Sequence, residues 1–81
     1  MNLYLISQDE DIDYDTYDSA VVAAETSEEA AQLSPSGDGV MDWNKSFSSW
    51  CSSVEKVSVR YLGKAAEGIE KGVICASFNA G

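Results

Sequence analysis

The side chains available for chemistry in this 81-residue chain are fourteen carboxylates, five lysines and arginines, four tyrosines and two cysteines, with no histidine. Without histidine there is no Ser-His-Asp triad and no Cys-His pair, so the usual hydrolase arrangements are excluded. Two carboxylates can act as acid and base, but among fourteen some pair falls at any given separation by chance. Cys51 and Cys75 cannot complete a four-ligand zinc site; they read as two free thiols in a reducing compartment, with one disulfide as the alternative. Cys75 lies in an apolar stretch expected to be a buried strand, where a thiol is inert. Gly37-Asp38-Gly39 lacks the lysine and serine or threonine that close a Walker motif, and these glycines read as turn residues. The run Asp9 to Asp15 has calcium-loop alternation but places Tyr14 where glycine is needed and Ala20 where a bidentate glutamate belongs. The reading is therefore nonenzymatic, with no catalytic residue, no cofactor and no metal site.

What stands out is charge. The net charge is −9, and residues 1–44 hold eleven acids and no lysine or arginine, whereas residues 45–81 hold all five basic residues and three acids. Such a surface disfavours direct phosphate binding, which needs a basic footprint. If extended, Asp9, Asp11, Asp13 and Asp15 project to one side at steps of about 6.6 Å and span roughly 20 Å, comparable to phosphate spacing along a DNA strand. Asp18, Glu25, Glu28 and Glu29 extend the patch, and Tyr14 and Tyr17 add flat amphipathic contact area. The alternative is an ordinary acidic loop whose tyrosines cap a sheet edge. Trp43, Phe47 and Trp50, at spacings of four and three, share one face of a helix if helical. They either cover the open face of a sheet or supply one or two tryptophan anchors at a partner or dimer interface.

The elements that must position these residues form a single domain spanning 1–81. Asn2 to Ser7 is a strand candidate and the paired valines favour a second strand over Ser19 to Glu25, joined as a hairpin by the acidic segment. Thr26-Ser27-Glu28-Glu29 predicts a capping box, with Glu29 returning to the N-cap N–H, and a helix of two to three turns ended by Ser34-Pro35-Ser36-Gly37. Residues 36–53 are an ordered Ser/Gly/Trp-containing excursion with one helical turn around Asp42 to Trp50. Val54 to Leu62 reads as a half-exposed strand with Val57, Val59 and Tyr61 on one side. A short helical turn is a candidate at Lys64 to Glu67. Gly72 to Asn79 closes as a strand with Val73, Cys75 and Ser77 facing one way and Ile74, Ala76 and Phe78 the other. The expected fold is α+β: a mostly antiparallel sheet of about four strands with one short helix on one face. The amino terminus has no positive region and only a four-residue apolar run, so neither signal peptide nor membrane span is expected and a cytoplasmic location follows.

Met1 to Gln8, Tyr14 to Ala24 with the following Glu28-Glu29-Ala30, and Gly72 to Asn79 together resemble the small acidic proteins of bacteriophages and prophages, among them CRISPR inhibitors of the DNA-mimic type. The resemblance implies a stoichiometric inhibitor in a bacterial host that binds a Cas subunit of a type I interference complex and blocks target DNA. The alternative is a phage or prophage adaptor that binds a protein partner through its aromatic patch. The partner-contacting residues expected on these grounds are Asp9, Asp11, Asp13, Tyr14, Asp15, Tyr17, Asp18, Glu28, Trp43 and Trp50, on a monomer or weak homodimer.

Overall fold

The computed structural model describes residues 1–9, 16–37, 39–43 and 50–79. It is a small α+β domain: a four-stranded antiparallel sheet with one short helix packed on it. The strands are β1 (Asn2–Ser7), β2 (Thr16–Ala24), β3 (Ser58–Lys64) and β4 (Gly72–Asn79), in the order β3-β1-β2-β4. The expected hairpin of β1 and β2 forms the centre, with Asn2 opposite Ala24 and Ser7 opposite Ser19. The second strand starts at Thr16, earlier than the valines indicate.

Register sorts the side chains into two faces, because directly paired residues project to the same side. One face carries the rows Val59–Ile6–Ala20–Ala76 and Tyr61–Tyr4–Val22–Val73. Ile6 and Val22 are fully buried there, and with Tyr4, Ala20, Ala24, Ala30, Leu33, Trp50 and Cys51 they form the core. The other face carries Arg60–Leu5–Val21–Cys75 and a row of four serines, Ser58–Ser7–Ser19–Ser77.

The helix α1 (Ser27–Ala31) packs mainly over β1, β2 and β3. Its five residues fall short of the two to three turns expected from the apolar pattern; Gln32 is already its C-cap. Thr26 caps it as expected, its Oγ1 accepting from the Glu29 N–H at 3.2 Å. The Glu29 carboxylate reaches one residue further back than a capping box requires, accepting from the N–H of Glu25 at 3.2 Å. It also lies 3.9 Å from the Lys71 ammonium, a contact between half-exposed groups that adds little stability. Replacing Glu29 by alanine should therefore cost about 0.5–1 kcal/mol, close to the value of the cap alone. Urea denaturation of the variant checks this, and a loss several times larger would show that the Lys71 contact matters more than its exposure allows.

After the helix the chain turns tightly, with Gly37 at φ +90° and the Ser34 N–H donating to the Gly39 carbonyl at 2.7 Å. A bridge between Leu33 and Val40 closes this loop. The described part of the 36–53 excursion is tied to the domain by Trp43 and by the buried Trp50 and Cys51; its expected helical turn falls largely on residues 44–49, outside the described residues.

Three expectations in the second half are corrected. Val54–Lys56 is a single 3-10 turn, so the third strand starts at Ser58 and runs on to Lys64. Lys64 is accordingly strand, and the connection instead turns where Ile69 N–H donates to the Ala66 carbonyl. In β4 the pairing steps from Val22–Val73 to Val21–Cys75, leaving Ile74 as an extra residue. That bulge reverses the alternation. Val73 therefore joins Ala76 on the core face, while Cys75 is turned to the opposite face, where it is exposed rather than buried. Neither cysteine is in a disulfide, and the buried Cys51 thiol donates to the Ser53 carbonyl at 3.4 Å.

Candidate protein-interaction surface

The acidic segment is anchored at one end of the sheet by backbone pairing. The Gln8 N–H donates to the Asp18 carbonyl at 3.1 Å, and the Gln8 side-chain amide donates to the Tyr17 carbonyl at 2.9 Å. Gln8 is buried, as is Thr16 at the start of β2. A buried amide joined to the backbone of the facing strand fixes how the chain leaves β1 and re-enters β2. Sequence reasoning passed over Gln8; a glutamine directly after an apolar strand was the available signal, and nothing in its type distinguishes a clamp from a solvated loop residue.

Pairing of β2 with β4 has a second irregularity, Tyr17 opposite Phe78 and then Ser19 opposite Ser77. The extra residue is Asp18, which is exposed and accepts from the Ser19 hydroxyl at 3.1 Å. The same bulge brings Tyr17 onto the core face, where its ring lies 4.7 Å from that of Phe78 at 59°. The two candidate residues thus separate: Asp18 points to water, while Tyr17 is half-buried and chiefly supports the sheet end.

Asp9 and Asp18 are both exposed at this end. Asp11, Asp13, Tyr14 and Asp15 lie outside the described residues, as does the calcium-loop alternation. Residues 9–18 contain six acids and no basic residue, and both ends of that segment are pinned at the same end of the sheet. The described basic residue nearest along the register is Lys56, in the turn leading into β3 beside Glu55. Lys64 and Lys71 belong to the far end, beside Asn2 and at the start of β4.

Glu25 and Glu28 are exposed, but they do not continue the patch formed at the Asp9 end. Asp18 is the third residue of β2 and Glu25 follows its last, and seven residue steps of strand separate them by about 23 Å. The acids are thus divided between the two ends of the sheet, with Lys64 and Lys71 at the glutamate end. At a Debye length of about 8 Å in physiological salt, the two groups act on a ligand as separate fields.

The tryptophans also separate. Trp43 is half-buried against the core and its indole N–H donates to Gln32 Oε1 at 2.7 Å. Trp50 is 1% exposed and takes its place inside the core. It is a packing residue, with almost no surface to offer a partner.

No protein-family model, curated protein or solved structure matches this chain.

Proposed function

We propose that the protein is a nonenzymatic inhibitor that binds a nucleic-acid-binding host complex through the acidic end of its sheet and prevents that complex from taking up DNA. The observation that carries this reading is the clamping of a segment with six acids in ten residues between paired strands. Gln8 and Asp18 hold the strands that lead into and out of it in register, so the segment leaves and re-enters the sheet at one end. Fixed ends reduce the ordering entropy that a partner would otherwise have to offset. Such a field also accelerates encounter with a basic groove by roughly 10–1,000-fold at low salt. The resemblance to phage-borne CRISPR inhibitors makes a type I interference complex the favoured partner, with cytoplasmic action in a bacterial host.

The adaptor alternative relies on an aromatic patch. Trp50 is buried and Trp43 is half-buried with its N–H already bonded, which leaves that alternative less exposed aromatic surface than the sequence promised.

The test is capture of a type I interference complex by the protein, followed by DNA binding with increasing amounts of inhibitor. DNA binding should fall to zero near one protein per binding site, and capture should weaken as salt rises. Full DNA binding at saturating protein would remove the mimic mechanism; capture insensitive to salt would favour the adaptor.

A further inference from the structure

From the edge strand β4 we infer an interface with a second copy of this chain, formed by antiparallel β4–β4 pairing about a two-fold axis near Ala76. The strand lies at the edge of the sheet, so among the described residues one side of its backbone has no strand to pair with. Its sequence, Gly-Val-Ile-Cys-Ala-Ser-Phe-Asn, contains neither charge nor proline, two of the features with which proteins block edge pairing; a third, the β-bulge, is present only at Ile74, before the stretch from Cys75 onward. The opposite edge, β3, does carry such protection in Arg60 and Lys64. Ile74 and Phe78 are exposed large apolar residues, at 49% and 45%. An axis at Ala76 sets Cys75 of each copy opposite Ser77 of the other, with the exposed Phe78 at each end of that short ladder, next to the bulged Ile74 of the other copy.

Charge selects the antiparallel arrangement despite the net −9 of each chain. The carboxy-terminal end of β4 pairs with Thr16 and Tyr17, where the acidic segment enters the sheet. Its amino-terminal end follows the half-exposed Lys71. Strand reversal therefore places the two acidic ends at opposite extremes of the joined eight-stranded sheet and carries Lys71 of each copy toward the acidic end of the other. Parallel pairing would bring the acidic ends together.

The bulge at Ile74 confines the regular ladder to the stretch from Cys75 onward. Such an interface is far smaller than the roughly 20–30 residues a side of a stable complex, so the dimer is weak and forms at high concentration.

Sedimentation equilibrium from micromolar to millimolar protein tests this directly. A monomer–dimer equilibrium is expected; monomer throughout, or open-ended polymers from β4 pairing with β3, would overturn it. The exposed Cys75 reports the register, because diagonal neighbours across such a pair lie about 7–8 Å apart. A short bis-maleimide should trap a covalent dimer in the Cys51→Ser variant and none in Cys75→Ser. A dimer that the reagent fails to trap would place the interface elsewhere. Cys75→Lys and Ser77→Lys, both on an exposed face, should each weaken dimerisation about tenfold or more through repulsion between the two lysines, which are diagonal neighbours across the axis, with the circular dichroism of the monomer unchanged. Unaltered dimerisation in the folded variants would also overturn the assignment.

Discussion

Truncation of Trp50 to alanine should destabilise the domain by about 3–5 kcal/mol, the range for removing a large aromatic from a packed core. Its side chain is the largest among the fully buried described residues and belongs to one core cluster with Ile6, Val22 and Cys51. An 81-residue domain has a total stability of roughly 4–12 kcal/mol at typical values per residue. The variant should therefore populate unfolded protein in the absence of denaturant or lie close to doing so. Trp43→Phe provides the contrast: it keeps most of the ring volume and loses the hydrogen bond to Gln32, which should cost about 1 kcal/mol. Urea midpoints of both variants measure the difference. Equal midpoints would mean that Trp50 is not a core residue, and the aromatic surface would again be a candidate for partner binding.

The second large effect concerns the acidic end. Changing Asp9, Asp11, Asp13 and Asp15 together to asparagine should reduce affinity for the proposed nucleic-acid-binding partner by at least about tenfold and flatten its salt dependence, as loss of an electrostatically complementary surface requires. Stability should stay the same or rise slightly, because the change removes mutual repulsion and leaves Gln8 and Thr16 in place. Changing Glu25 and Glu28 to glutamine serves as the control of equal chemistry at the far end. With the two groups about 23 Å apart along β2, that control should leave affinity within about twofold at physiological salt. Calorimetric titrations of the three proteins at low and high salt decide the matter. Equal affinity for wild type and the fourfold variant would move the contact surface away from the acidic segment; loss of affinity only in the glutamate control would assign it to the helix end.

The sequence by itself determined the class of fold and the distribution of charge. The apolar run Leu3 to Ile6, the paired valines Val21 and Val22, and the threonine and glutamate around α1 carry local signals that depend only on neighbours in the chain. The strands, the helix start and the antiparallel architecture followed from them. Segregation of the acids into the first half is likewise a property of composition, and no packing arrangement can remove it.

Tertiary structure decided what local patterns do not contain. Strict alternation along β4 assigns Cys75 and Val73 to the same side, but one extra residue in the pairing with β2 sends them to opposite faces. A bulge arises from how two distant strands match in register, so neither strand announces it alone. The same holds for Asp18, which shifts Tyr17 onto the core face and itself stays in water. Tryptophan spacing could not separate Trp43 from Trp50, since burial depends on what lies beneath each ring. The division of the acids between two sheet ends came from chain direction: β2 carries Asp18 to one end and hands Glu25 to the other. Gln8 joins the acidic segment to the fold through a bond to a residue nine positions away, a contact that exists only once β1 and β2 have paired.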